Sequence, residues 1–286
     1  MDAVKITFAL PKGHMYEKVS QLMEDAGFHI ISNGRNYRPI CSDSRFELKM
    51  FRAQNIVQMV DLGRHDIAFA GHDWVVEGNA KVVELLDTGF DSVRVVAAIP
   101  ESFGTIDSLR GRRIVVASEY ERITRNFLDS QGLDYFLVHS YGATEVFPPE
   151  DADLIVDNTA TGRTLRANGL KEVAVLLSSS TRLIANPEAL TGEKGRAIEE
   201  LVLLLQSVID ARRRVMLEMN VETSRLKTVL AVLPCMRHPT MSSLADNAGY
   251  AIKAAVLRDE VARLIPVLKT AGATDILEYP FSKVVL

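Results

Sequence analysis

Residues 153–170 read Asp-Leu-Ile-Val-Asp-Asn-Thr-Ala-Thr-Gly-Arg-Thr-Leu-Arg-Ala-Asn-Gly-Leu. The apolar run Leu154 to Val156 predicts a buried strand, and Arg163 to Ala167 predicts a short helix that stops at Asn168-Gly169. Between them lie Asp157, Asn158, Thr159, Ala160, Thr161 and Gly162, followed by Arg163 and Thr164. A strand, a hydroxyl-rich turn, a glycine and a helix start is the geometry that cradles a phosphate, because free backbone N–H groups point at the anion. An aspartate at the strand end would sit beside that phosphate, where it can hold a sugar diol. The stretch therefore reads as a pocket for a ribose 5-phosphate. The same residues would also serve as an ordinary polar strand-to-helix loop, since Thr and Asn satisfy backbone groups locally. Three threonines, a glycine and an arginine within six residues favour the phosphate.

Composition bounds what such a pocket can belong to. At 286 residues the chain predicts two or three domains, and 47% hydrophobic with 24% charged residues excludes a disordered protein. A net charge of −4 gives no general attraction to nucleic acid or an anionic membrane, so any cationic site is local. Cys41 and Cys235 stand in no metal-ligand spacing and read as reduced thiols of a cytoplasmic protein. The amino terminus, Met-Asp-Ala-Val-Lys-Ile-Thr-Phe, reads as a strand rather than a leader, and the longest aliphatic run, Leu201 to Leu205, is too short to span a bilayer.

Outward from the central stretch, the chain alternates strands and helices. Val4, Ile6 and Phe8 begin a strand that ends in Leu10-Pro11-Lys12-Gly13-His14, and Lys12 at this corner is either a phosphate contact or a solvated lysine. Phe46 to Arg52 alternates apolar and charged residues, predicting an edge or half-buried strand with Arg52 at its end. Asp66 to Ala70 is a buried strand; Asp73 behind Gly71 is placed either to cap the next helix or to put a carboxylate on the ligand rim of the sheet. After Val93 to Ala98 the pattern restarts, with strands at 113–117, near 135–138 and at 154–156, predicting a second α/β lobe and a cleft with ligand residues from both. Val173 to Leu177 and Thr181 to Ala185 are read as strands that return the chain to the first lobe, and 196–212 as a broad-faced helix. Arg212 to Arg214 are either cations at its carboxyl end or an anion site. From 214 the order becomes β (214–220), α (222–232), β (236–243), β (250–257), α (258–271), β (274–281), that of a ferredoxin-like split βαβ.

The central loop resembles the 5-phosphoribosyl-1-pyrophosphate (PRPP) loop of phosphoribosyltransferases, with Asn158 where their commonest form has a second acidic residue. Taken together, Pro11-Lys12-Gly13, Asp66 through Asp73, Gly89-Phe90, Ser118-Glu119-Tyr120, Gly142 to Glu145 with Pro148, Asp153 through Leu170, Leu233-Pro234 with Pro239-Thr240, and Gly272-Ala273 with Ile276 resemble the long, histidine-regulated form of the ATP phosphoribosyltransferase family. That resemblance implies an α/β fold of two periplasmic-binding-protein-like (type II) lobes with a carboxyl-terminal ferredoxin-like, ACT-like α+β domain. It divides the chain into 1–94 plus 180–211, 95–179 and 212–286. It implies ATP and PRPP as substrates, Mg²⁺ as cofactor with no metal cage from protein alone, histidine as inhibitor, and a homo-oligomer, dimer or hexamer. By position, Glu145, Asp157, Asn158, Thr159, Ala160, Thr161, Gly162, Arg163 and Thr164 match the PRPP site; Lys12, Arg52 and Asp73 match first-lobe positions facing ATP; Thr240 matches the histidine site. No residue is assigned as a catalytic acid or base. Glu121, His14 and Asn158 depart from the family pattern, and Asn158 stands where an aliphatic residue is common. The competing expectations are a silent regulatory paralogue, a two-lobed small-molecule binding protein and a transferase acting on a free nucleobase.

Overall fold

Alternating apolar residues make the first strand, β1 (Ile6–Pro11), in which Ile6, Phe8, Ala9 and Leu10 are all buried. Burial on both faces is the mark of a parallel strand inside an α/β sheet. The computed structural model describes residues 4–31 and 37–286; Met1 to Ala3, part of the expected amino-terminal strand, lie outside the described residues. After β1 come α1 (His14–Ala26), the two-residue strands β2 (Ile30–Ile31) and β3 (Ile40–Cys41), β4 (Phe46–Phe51), α2 (Ala53–Asp61), β5 (Ile67–Gly71), α3 (His72–Gly78) and β6 (Val83–Asp87). Next are β7 (Val93–Pro100), β8 (Ile114–Ser118), α4 (Glu121–Gln131), β9 (Tyr135–His139), β10 (Leu154–Thr159), α5 (Arg163–Ala167), β11 (Leu170–Ser179) and β12 (Thr181–Ala185). Contacts group the chain into two compact units, Met1–Gln21 with Phe28–Ile198, and Leu22–Gly27 with Glu199–Leu286.

Two sheets make up the first unit. One runs β2-β3-β4-β1-β5-β12-β6 and the other β11-β7-β10-β8-β9, and they are called the first and second lobe below. In the second sheet the pleat sorts side chains cleanly. Val95, Ala97, Ile99, Val116, Leu154 and Val156 form one buried face, and Val96, Ala98, Ala117 and Ile155 the other. β10 lies parallel to β8, with Val156 paired to Ser118, so the residues that follow, Asp157 and Glu119, emerge beside each other at the carboxyl ends. That is the rim where ligands bind in open α/β sheets.

The chain crosses between the lobes twice, at 88–92 and at Ser180. The crossings are tied together: Thr88 donates both N–H and Oγ1–H to the Thr181 carbonyl at 3.1 and 2.8 Å, and Thr181 N–H donates to the Phe90 carbonyl at 2.9 Å. Ser180 Oγ donates to Asp87 at 2.7 Å.

The second unit holds most of α6 (Gly192–Arg212), then β13 (Arg214–Val221), α7 (Leu226–Val232), β14 (Thr240–Ser243), β15 (Tyr250–Leu257), α8 (Val261–Ala271) and β16 (Ala273–Pro280). Its sheet order, β14-β15-β13-β16 with every pair antiparallel, is that of the split βαβ expected. Val215, Leu217, Met219 and Val221 alternate into its core. Of the arginine run, Arg212 pairs with Asp25 at 2.7 Å and Arg214 with Asp210 at 3.5 Å, so both are ion-paired near the helix end.

Three local expectations are corrected. Of the two readings of the strand at 46–51, the half-buried one holds, with Phe46 and Leu48 buried and Glu47 exposed, and the edge one does not, because the two-residue β3 pairs on its outer side. Val173 to Leu177 belong to β11, which edges the second sheet against β7; only β12 returns to the first. The strand expected over 236–243 begins only at Thr240, because Arg237 is held in a turn whose carbonyl accepts from Cys235 Sγ, and Pro239 has no N–H to donate.

Candidate active site

At the carboxyl end of the second sheet, Glu145 and the run Asp157 to Thr161 with Arg163 and Thr164 line one cavity of about 460 Å³. Glu119 and the turn Gly142 to Thr144 complete it. The sequence reasoning thus names most of the lining and misses Glu119. The signal for it was present, since Glu119 follows a buried strand end just as Asp157 does.

The loop holds its own shape. Thr159 is buried, and its Oγ1 accepts from Gly162 N–H at 2.9 Å. Gly162 has φ +69°, and a Cβ there would lie 2.7 Å from Glu172 Oε1 and 2.8 Å from Arg166 Nη1. Both facts require glycine. Glu172 is itself fixed by Arg94 in a bidentate pair at 2.6 and 2.9 Å. Arg166 Nη2 donates to the Thr161 carbonyl at 2.9 Å. With Thr159 committed inward, Thr161 and Thr164 are the hydroxyl residues of the loop left to face the cavity. The first-turn N–H groups of α5 have no acceptor within the helix.

Burial pushes the Asp157 carboxyl up to about 6 from an ordinary 3.8; the Asn158 N–H opposes this, while the charges of Glu145 and Glu119 reinforce it. Asp157 Oδ1 accepts the Asn158 N–H at 2.7 Å. Three carboxylates facing one cavity repel one another, and a cation or a hydroxyl-rich ligand between them relieves that repulsion.

A second cavity of about 330 Å³ adjoins the first through Glu119 and draws on both lobes. Arg52, Asn55 and Trp74 come from the first lobe, and His139 to Tyr141 from the second. Arg52 sits at the N-cap position of α2, without a side-chain cap bond. Lys12, at the end of β1, places its ammonium over the Tyr37 ring, 3.2 Å from the centroid, and lines neither cavity. Thr240 opens the exposed edge strand β14, opposite Lys253.

Asp73 follows the carboxyl end of β5, as one expectation had it, but it does not cap α3. Gly71 takes the N-cap position of α3, and Asp73 sits inside the first turn, 6% exposed. Its Oδ1 accepts from Ser179 Oγ at 2.6 Å and its Oδ2 from Tyr120 OH at 2.7 Å. A carboxylate with both oxygens engaged inside the protein is not turned to a ligand. Tyr120 is buried, and burial together with the Asp73 charge raises its phenol above the ordinary range. Its ring stacks on Trp74 at 4.9 Å between centroids. Glu77 accepts the N–H groups of Arg122 and Ile123 at 2.8 and 3.0 Å, so an α3 carboxylate caps the first turn of α4 from the opposite lobe. Arg122 closes the contact by donating to the Val76 carbonyl.

The HisG ATP phosphoribosyltransferase family model matches residues 52–207, and that of the HisG C-terminal domain matches 211–283. An ATP phosphoribosyltransferase from Chlorobium phaeovibrioides is 40% identical, covering 98% of this chain and 97% of its own length. One from Pelotomaculum thermopropionicum is 39% identical over 99% of this chain and all of its own. Among solved structures, a chain of the ATP phosphoribosyl transferase (HisG:HisZ) complex from Thermotoga maritima aligns with a TM-score of 0.64 at 25% identity. It covers 72% of this chain and 98% of its own.

Proposed function

The chain belongs to the ATP phosphoribosyltransferase family, and from that premise we propose how its residues carry out the reaction. The enzyme is a pentosyltransferase that moves the 5-phosphoribosyl group of PRPP to N1 of ATP and releases pyrophosphate, the first step of histidine biosynthesis. In our reading PRPP occupies the cavity at the end of β10. Thr161, Thr164, Arg163 and the loop N–H groups take the 5-phosphate, and Asp157 with Glu145 takes the ribose hydroxyls and the charge beside them. The observation that supports this is the gathering of Glu145, Asp157 to Thr161, Arg163 and Thr164 around a single cavity.

The acceptor lies in the adjoining cavity, with Arg52 facing its phosphates and Trp74 beside its base. Lys12 stays an ATP candidate by position alone. Asp73 supports the site from behind rather than contacting the nucleotide. Adenine N1 carries no proton at neutral pH, so the transfer needs no strong general base. The rate then comes from holding N1 in line with the ribose C1 and from cationic stabilisation of the departing pyrophosphate.

The donor set fits a hard divalent cation: Glu119, Glu145 and Asp157 offer carboxylate oxygens around one cavity. The ion would be carried largely by the substrate's phosphates. When bound, Mg²⁺ would neutralise the pyrophosphate of PRPP.

Regulation belongs to the same proposal. Histidine acts at the third domain near Thr240 and favours a homo-oligomer, from dimer to hexamer, that turns over slowly. The domain bounds 1–94 plus 180–211, 95–179 and 212–286 divide these roles. The Thermotoga neighbour is solved as a complex with HisZ, whereas this chain carries a C-terminal domain of its own. No described helix is long and apolar enough to cross a membrane, and we place the enzyme in the cytoplasm.

The test is the absorbance rise of product formation from ATP, PRPP and Mg²⁺, with and without histidine, for the natural chain and Thr161→Ala. Turnover suppressed by histidine and lost in the variant is the expected result. Turnover unchanged in Thr161→Ala would overturn the loop assignment, and no effect of histidine would overturn the regulatory part.

A further inference from the structure

Asn158 lines the cavity at the end of β10, but its amide also reaches into the protein: Nδ2 donates to Tyr120 OH at 3.0 Å. The direction of that bond follows from chemistry. Tyr120 has one hydroxyl hydrogen and gives it to Asp73 at 2.7 Å, so it can only accept from Asn158, and the amide must present its NH₂. Asp73 in turn is held by Ser179 at the end of β11, beside the crossing at Ser180. The Tyr120 ring stacks on Trp74, which lines the adjoining cavity. One tyrosine therefore touches a residue of each cavity, through its hydroxyl on one side and its ring on the other.

We propose that Asn158 is a positioning residue that couples the two cavities: through Tyr120, occupancy of the first is transmitted to Trp74 in the second and to the Asp73 anchor. The inference rests on the reading of the first cavity as the PRPP site. An aliphatic residue at 158 could line the cavity equally well but could not donate to Tyr120, so the coupling is a property of the amide. The linkage is reciprocal: whatever PRPP does to acceptor binding through this path, the acceptor does to PRPP.

Trp74 is the only tryptophan in the chain, so its emission reports this contact without labelling. The experiment titrates PRPP with Mg²⁺ into the full chain, following Trp74 emission and, separately, heat of binding, for the natural chain, Asn158→Leu and Tyr120→Phe. PRPP does not absorb where tryptophan does. The natural chain should show an emission change that saturates with the calorimetric affinity. Asn158→Leu should still bind PRPP, with the emission change at least halved and the KM for ATP raised about fivefold, the low end of ordinary coupling. Tyr120→Phe keeps the ring stack and loses the hydroxyl, and should behave the same way. Adding both changes together should cost little more than either, because they break one path.

An emission change that survives in both variants overturns the coupling. So does PRPP binding to the natural chain with heat but no emission change, or the loss of PRPP binding itself in Asn158→Leu, which would make Asn158 a direct ligand. A natural chain that binds no PRPP at all sinks the cavity assignment, and the coupling with it. Because Asn158 is exposed, Asn158→Leu leaves the core intact, and its melting curve checks this.

Discussion

Replacing Asp157 with asparagine should make the protein more stable at neutral pH while abolishing turnover. The carboxyl titrates near 6 in the folded chain against 3.8 ordinarily, a displacement of about two pH units. At about 1.4 kcal/mol per unit, ionising Asp157 in place costs about 3 kcal/mol. The sign follows from proton binding: between 3.8 and about 6 the folded state holds the proton and the unfolded state does not, so stability from this group rises as pH falls through that window. Above pH 6 the full cost is present; below 3.8 it is gone. Asparagine removes the charge and keeps an oxygen for the Asn158 N–H, now at 2.7 Å. Asp157→Asn should thus gain about 2–3 kcal/mol at pH 7.5, falling towards zero near pH 4. Urea unfolding followed by Trp74, which lies in the same compact unit, measures this across the pH range. An equal or lower stability at pH 7.5, or a gain that does not shrink in acid, would refute the reasoning. A cation bound beside Asp157 would offset that cost; a ligand at a hundredfold its Kd contributes about 2.7 kcal/mol.

Gly162→Ala meets positive φ and two close side-chain atoms at once, so it should cost about 1–3 kcal/mol and weaken PRPP binding, read by melting and calorimetry on the same sample. Glu77→Gln keeps the acceptor for the α4 N–H groups but loses the charge, and should lower stability by about 0.5–1 kcal/mol in urea titrations followed by Trp74. In the third domain, Gly249 has φ +146°, and a Cβ there would lie 2.3 Å from the Val221 carbonyl oxygen. Gly249→Ala should unsettle that domain and abolish the response to histidine while histidine-free turnover persists; an undiminished histidine response would contradict the assignment of regulation to this domain.

Local rules made much of the fold readable. The run Leu154 to Val156 and the helix at Arg163 to Ala167 fall where periodicity puts them, because burial and a Gly-bounded turn act within a few residues. The third domain's element order was legible for the same reason. What eluded sequence reasoning depends on partners remote in the chain. Asp73 looks like a cap from its position behind Gly71, and only a tyrosine 47 residues away and a serine 106 residues away turn it inward. The alternation at 46–51 gives a half-buried strand but cannot decide whether it is an edge, because nothing in it reveals that β3 lies outside. In the cavity, the position of Glu119 after a buried strand end is legible, but that it stands beside Asp157 is set by the pairing of Val156 with Ser118, a register invisible in either strand alone.

The place of β12 in the first sheet constrains how the chain can be made. It fills the gap between β5 and β6, pairing with both, yet it is synthesised only after the whole second lobe. Between the last residue of β5, Gly71, and the last of β12, Ala185, a ribosome adding about 5–20 residues per second needs roughly 6–23 s. Throughout that interval β5 presents an unpaired edge of fully buried-type residues, Ile67 to Ala70, to the surroundings. The second lobe's strands, β7 to β11, are contiguous in sequence, so its sheet closes without any element from outside the lobe. The sheet begun first is thus completed only after the second lobe has been made, and in this window a holdase chaperone has a strand to cover.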